Sequence, residues 1–140
     1  MSLRYLLDTN AISELNRERP DPRVQRKFDE NAGSLAAATV SWHEMIYGLR
    51  RMPESRRRRS VETFLFDFVR PLLVFLPYTI EAAAWHAEER ARLEAAGRTP
   101  PYADGQIAAI AAVNGLVLVT DNLRDFAAFK GVRVETWRKA

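Results

Sequence analysis

Residues 100–122 read PPYADGQIAAIAAVNGLVLVTDN, and this stretch predicts a buried helix followed by a buried strand. Asp104 precedes residues 107–112, an almost wholly apolar run that is typical of a helix that packs on all sides. Asn114 and Gly115 end that helix. Residues 116–119 then form a short, continuous apolar run, as strands do in a parallel sheet with both faces covered. The stretch therefore favours an α/β fold.

The same alternation of short apolar runs and helical patterns extends along the chain. Strands are expected at residues 3–7, 35–40, 72–76, 116–119 and 132–134, the last at an edge. Helices are expected after Asn10, from Pro22 and over residues 41–49, 61–69 and 79–96. We predict one three-layer α/β/α domain over residues 1–140, with a mainly parallel central sheet of four to five strands.

Local signals add details that the structure can test. Asn10 is expected to cap the first helix, and Ser41 followed by Glu44 matches a capping box. The run 72–76, bounded by prolines, is expected to be a buried strand. His86 is expected to be a surface or half-buried residue.

Composition excludes several classes of protein. The chain has 140 residues, of which 47% are hydrophobic and 28% charged, with a net charge of +3, no cysteine and two histidines. Disulfides and thiolate metal sites are therefore excluded, and a structural zinc site is not expected. No apolar run is long enough to span a bilayer and no signal peptide is recognised, so we expect a cytoplasmic protein without membrane contact.

Five acidic residues interrupt apolar surroundings: Asp8, Glu44, Asp104, Asp121 and Asp125. Each follows a predicted strand or opens a predicted helix, and those positions share one rim of a parallel sheet. Clustered carboxylates repel one another unless cations neutralise them, and hard divalent cations prefer oxygen ligands. The pattern therefore indicates metal-assisted chemistry on phosphates. Taken singly, each acid also has a structural interpretation as a turn, cap or helix-dipole residue.

Four segments, LLDTNAISEL, TVSWHEMIYGL, PPYADGQIAAIAAVNGLVLVT and TDNLRDF, resemble in order the acidic motifs of PIN-domain ribonucleases. Within that family the chain is similar to the VapC-type toxins of bacterial toxin–antitoxin pairs, including the FitB-like group. The resemblance covers nearly the whole chain. It implies a PIN-like fold and a Mg²⁺- or Mn²⁺-dependent endoribonuclease.

The resemblance carries over to individual residues. Asp8, Glu44 and Asp104 match the first three acidic positions, and Thr9 matches the small hydroxyl residue that follows the first acid. They are the implied metal ligands, with Thr9 in support.

The fourth acidic position departs from the family pattern. Asn122 stands where many relatives have an aspartate, while Asp121 comes one residue early and Asp125 three residues later. Asn122 and Asp125 are candidate ligands, and Asp121 and Asp125 are candidate catalytic acids.

The resemblance also implies partners. These are an RNA substrate, a small antitoxin whose C-terminal segment lies across the site, and a second copy of the chain in a homodimer. Four arginines are candidate contacts to RNA phosphates or to the antitoxin: Arg50, Arg51, Arg56 and Arg57. A solvated helix face is the other interpretation of this run.

Two other functions stay open at this point. The irregular fourth acid is compatible with a catalytically weak or inactive PIN-fold module that binds RNA or protein. A receiver-like phosphate switch also needs acids at strand ends, but it requires an acidic pair after the first strand and a lysine after the last, and neither is present.

Overall fold

The central sheet of the computed structural model, which describes residues 2–138, contains five strands that are all parallel. The strands are β1 Tyr5–Leu7, β2 Leu35–Ala38, β3 Val74–Leu76, β4 Val117–Val119 and β5 Val134–Glu135. Their spatial order is β3-β2-β1-β4-β5. Met1, Lys139 and Ala140, the ends of the predicted domain, lie outside the described residues. The predicted three-layer, parallel architecture is confirmed.

Helices cover both faces of the sheet. They are α1 Thr9–Glu14, α2 Pro22–Glu30, α3 Thr39–Arg51, α4 Arg56–Thr63, a π-helical segment Phe64–Val69, α5 Arg70–Leu72, α6 Ile80–Ala95, α7 Tyr102–Val113 and α8 Leu123–Phe126. Alternate strand residues face opposite cores. Leu6 and Leu118 pack with α6 and α7, whereas Leu7 and Val119 pack with α1, α2 and α3.

Strand register brings the ends of β1 and β4 to the same level. Leu7 is paired with Val119, and the Asp8 N–H donates to the Val119 carbonyl at 2.8 Å. Leu7 is also paired with Ala37 of β2, one residue before that strand ends. The residues that follow these strands therefore meet at one rim.

The predicted helix starts were wrong in two places. The N-cap of α1 is Asp8, and the Asn10 side chain instead accepts a hydrogen bond from the Asp121 N–H at 3.3 Å. Helix α3 begins at Thr39 without a side-chain cap, so Ser41 lies inside the helix and forms no capping box with Glu44. In both places, the polar side chain that local capping rules assign to a helix cap instead forms a hydrogen bond with a residue distant in sequence.

The third strand is an edge strand and is not buried as predicted. Val74 is 50% exposed because β3 pairs only with β2. The amphipathic segment before it does form a helix with Leu65 and Val69 buried, as predicted. The end of this helix widens into the π-helical segment, which is followed by the short helix α5 that contains Pro71, a residue with no N–H to donate to the helix ladder.

Within residues 2–138, no helix combines the length and the apolar character needed to cross a bilayer.

Candidate active site

Asp8 is held at the end of β1 by two hydrogen bonds. Its Oδ1 accepts from the Thr9 N–H at 2.8 Å and its Oδ2 from the Thr120 hydroxyl at 2.9 Å. The side chain is buried, and burial raises the pKa of this carboxyl. The charges of Glu44 and Asp121 raise it further, while the two hydrogen bonds oppose the shift. Asp8 is thus fixed in place and surrounded by other acids.

Thr9 joins α1 to α3 through its hydroxyl. Thr9 Oγ1 lies 2.9 Å from Ser41 Oγ and 3.1 Å from Glu44 Oε1. A hydroxyl has one proton and a carboxylate only accepts, so Thr9 donates to Glu44 and Ser41 donates to Thr9. Ser41 is fully buried, and Glu44 reaches the exposed surface. This chain of contacts connects Glu44 to the residue that follows Asp8.

Asp104 lies in the first turn of α7, as the sequence predicted. Its pKa is raised to about 6, first by burial and then by the charges of Asp8, Asp125 and Glu44. A carboxyl is affected in this way only when the other carboxylates are near. The structure therefore brings these four acids into one electrostatic cluster.

The candidate residues for the fourth acidic position interact with two different sets of neighbours. Asn122 Nδ2 donates to Asp125 Oδ2 at 2.9 Å, and Asp125 is one of the charges that act on Asp104. Asp121 instead lies 3.5 Å from the Arg138 guanidinium. Burial raises the pKa of Asp121, and the Arg138 charge opposes this shift.

Sequence reasoning did not identify Glu14, the buried acid beside Asp121. Glu14 is 4% exposed and accepts from the Asp21 N–H at 2.9 Å and from Arg17 at 3.1 Å, with Arg138 at 3.8 Å. Burial alone would raise the pKa of Glu14, but these bonds and charges lower it. In the sequence, Glu14 is one residue of an amphipathic helix, and no local pattern marks it as buried.

The donor types at the rim suit a hard divalent cation. Asp8, Glu44, Asp104 and Asp125 supply carboxylate oxygens, and the pKa of Asp104 is raised first by burial and then by the charges of the other three acids, a repulsion that a cation would relieve. Within residues 2–138, however, no three Asp, Glu or His side chains are close enough together to hold an ion as they stand. The residues fit the ion in chemistry, and their side chains must converge further to bind it.

A cleft of about 810 Å³ adjoins the acidic cluster. Its polar lining carries both signs of charge: the acids Glu14, Glu18, Glu44 and Asp121, and the arginines Arg17, Arg57 and Arg138. Its floor is apolar and is formed by Met45, Leu49, Met52, Val61, Phe64 and Leu65. The cleft thus offers a partner an apolar surface and a rim of mixed charge, in which Arg17 and Arg138 pair with Glu14 and Arg138 also pairs with Asp121.

The other three candidate arginines are exposed near this cleft. Arg50 forms a salt bridge to Glu62 at 3.5 Å, Arg51 lies over the Tyr47 ring, and Arg56 begins α4. These contacts neither select nor exclude the predicted role in binding RNA or antitoxin.

His86 is buried, contrary to the prediction, and packs against α7 beside Asp104. Its Nδ1 is 2.8 Å from the Tyr78 hydroxyl. The ring occupies the space that a Cβ atom at Gly105 would fill. The glycine after Asp104 thus lets α6 and α7 approach closely.

This parallel sheet with an acidic rim defines a nuclease-like α/β protein, and comparison with known proteins identifies its family. The PIN domain model matches residues 5–132, so the chain belongs to the PIN-domain family. Ribonuclease VapC2 of Haemophilus influenzae is 32% identical over 96% of this chain and 98% of its own. The tRNA(fMet)-specific endonuclease VapC of Salmonella typhimurium is 33% identical, with the same coverage.

Solved structures agree with this assignment. DNA-bound VapBC from Salmonella typhimurium superimposes with a TM-score of 0.85 at 30% identity, over 96% of this chain and 98% of that one. The protein is therefore a ribonuclease of the VapC type, the toxin of a toxin–antitoxin pair, as the sequence predicted.

Proposed function

We propose that this toxin hydrolyses RNA phosphodiester bonds with the help of Mg²⁺ or Mn²⁺ held at the acidic cluster. The observation that carries the proposal is the placement of the acids: Thr9 and Thr120 hold Asp8 at the end of β1, Thr9 also holds Glu44, and the charges of both acids reach Asp104. Such a cluster attracts a divalent cation and, through it, a phosphate.

The bound ion would neutralise phosphate charge and make water a stronger nucleophile. Asp8 and Asp104 would hold it, with Glu44 as a third ligand and Asn122 or Asp125 completing the set. Thr9 keeps Glu44 in place, and Thr120 does the same for Asp8. No histidine is required as a base. We expect products with a 5′-phosphate and a 3′-hydroxyl.

The test is cleavage of purified RNA by the isolated chain with Mg²⁺, with Mn²⁺ or with EDTA. Asp8→Asn and Asp104→Asn should each abolish cleavage and keep the circular dichroism spectrum of the wild type, because the amide preserves shape while removing charge. Asp67→Asn is the matched control, since Asp67 is an exposed acid of the π-helical segment, away from the cluster. Wild-type cleavage in EDTA, or full activity of Asp8→Asn, would contradict the proposal.

The same assay addresses the inactive RNA-binding module. That protein would bind RNA equally well before and after Asp8→Asn and would release no 5′-phosphate products under any metal condition. Acetyl phosphate labelling of Asp8 would instead indicate the receiver-like switch.

The 810 Å³ cleft supports an antitoxin segment as the inhibitory partner. We propose that this segment packs apolar side chains on the floor and presents an arginine to Glu44, since Asp121 already has Arg138 at 3.5 Å, and that it thereby blocks the acids from RNA. Met52→Glu, which introduces a charge at the cleft floor, should release a small protein that co-purifies with the tagged wild-type chain. Retention of that protein by the variant would contradict this placement.

We also propose a homodimer, which sedimentation velocity tests directly.

Bacterial RNA is found in the cytoplasm, and we propose that compartment for this toxin.

A further inference from the structure

Three flat side chains follow one another along the exposed side of α3: His43, Tyr47 and Arg51. The His43 and Tyr47 rings are stacked, with centroids 6.2 Å apart and planes 12° from parallel. The Arg51 guanidinium carbon lies 4.7 Å from the Tyr47 ring centroid. Tyr47 is 56% exposed despite its large ring. We call these three residues the α3 ladder.

The α3 ladder runs beside the acidic cluster. Tyr47 comes three residues after Glu44, and Arg51 comes seven residues after Glu44. At this helical spacing Glu44 shares one side of the helix with Tyr47 and Arg51. The helical rise of about 1.5 Å per residue gives the ladder a length of roughly 12 Å. A strand bound along it would pass the acids that we propose to be catalytic.

Charge around the α3 ladder suits a polyanion. Arg57 lines the neighbouring cleft with Glu44. Among the described residues, Arg51, Arg56 and Arg57 form no salt bridge, whereas Arg50 and Arg58 do. Guanidinium groups without a carboxylate partner are available for phosphates.

We propose that the α3 ladder stacks unpaired bases of the RNA substrate next to the phosphodiester that is cleaved, with Arg57 on a flanking phosphate. This inference rests on the ribonuclease function proposed above. Aromatic and guanidinium planes are the groups on which proteins stack single-stranded bases. An antitoxin segment is the less suitable occupant, because the apolar floor uses Met45 and Leu49 of α3, and Tyr47 does not line the cleft.

The test measures binding of a labelled, mixed-sequence single-stranded RNA in the Asp8→Asn background, which prevents cleavage. Tyr47→Leu should weaken binding about tenfold, the usual effect of losing one stacked base. Tyr47→Phe should bind as the parent does, because the ring is kept. Arg51→Gln should weaken binding more than Arg26→Gln, which removes the same charge from the exposed side of α2.

Two further ligands separate stacking from simple charge attraction. A duplex of the same sequence and an abasic strand of the same length should bind equally to the parent and to Tyr47→Leu, since neither offers an unpaired base. In the otherwise wild-type chain, Tyr47→Leu should raise KM with little change in kcat. Equal affinity of Tyr47→Leu and the parent for the single strand would overturn the inference.

The outcomes also distinguish this inference from the proposed ribonuclease function. If the chain fails to cleave RNA with metal but binds single strands through Tyr47, the result supports the α3 ladder and contradicts the proposed hydrolysis. If the chain cleaves RNA and Tyr47→Leu leaves both KM and single-strand affinity unchanged, the result supports the proposed hydrolysis and contradicts base stacking on the α3 ladder. Loss of the co-purifying small protein from Tyr47→Leu, with RNA affinity unchanged, would assign this face to the antitoxin and also overturn the inference.

Discussion

The hydroxyl of Thr120, at the end of β4, donates a 2.9 Å hydrogen bond to the buried Oδ2 of Asp8, at the end of β1. The same oxygen of Thr120 accepts from the Asn122 N–H at 3.0 Å. One fully buried side chain therefore connects the first acidic position to the segment that carries the fourth.

Thr120→Val should destabilise the protein and reduce cleavage. The valine fills the same volume but leaves a buried carboxylate oxygen without its donor, which costs about 1–3 kcal/mol. Urea denaturation measures the loss of stability, and cleavage at saturating Mn²⁺ measures the effect on activity. Thr120→Ser retains the hydroxyl and should lie close to wild type, and equal losses in both variants would contradict this role.

Divalent cations should stabilise the folded protein. An ion that binds only the folded state contributes about 2.7 kcal/mol at a concentration 100 times its Kd. For a domain of this size that raises Tm by several degrees. Differential scanning calorimetry with millimolar Mn²⁺ tests this expectation. Asp104→Asn should remove most of the increase, and an unchanged wild-type Tm would exclude a shared ion site.

Stability without metal should fall as pH rises through the range in which Asp104 ionises. The pKa of Asp104 is about 6 in the folded protein against 3.8 for an unperturbed group, so the folded state binds the proton more tightly. Its contribution to stability is therefore greatest at low pH and is lost between about pH 4 and 6. The raised pKa values of Asp8 and Asp121 act in the same direction, and the lowered pKa of Glu14 acts in the opposite direction.

The measurement for this pH effect is the urea midpoint of the metal-free protein between pH 4.5 and 7.5. Asp104→Asn should flatten the curve. Metal-dependent activity should change with pH in the opposite direction to stability. It should decrease as pH falls through about 6, because an ion binds the ionised carboxyl of Asp104. A wild-type curve with the same slope as that of Asp104→Asn would argue against the assigned shift.

Gly105→Ala should disturb the active site through His86. A Cβ atom at this position would overlap the His86 ring, which the Tyr78 hydroxyl holds in place. Because Asp104 is the preceding residue, a shift of α7 to relieve the overlap moves a proposed metal ligand. We expect lower Tm and lower cleavage. Adding His86→Ala should restore part of both, and strictly additive losses would show that the two sites do not interact.

The sequence determined the architecture because its signals are local and periodic. Residues 107–112 have no polar face, so they form a helix only where protein surrounds it, and the short apolar runs at β1, β2 and β4 require a covered parallel sheet. Strands of that kind end on one rim, which is why Asp8 could be placed there from the sequence, whereas Asp104 was predicted to join it from the first turn of a helix.

Only the tertiary structure decided how the polar groups pair. Ser41 and Asn10 match local capping rules, yet each forms a contact to a residue from a distant part of the chain. Burial of Glu14 and His86 likewise depends on other elements that pack over them. Hydrogen bonds and charges act over a few ångströms in space, and separation along the sequence carries no information about those distances. The division of the fourth acidic position, with Asp125 toward Asp104 and Asp121 toward Arg138, has the same cause.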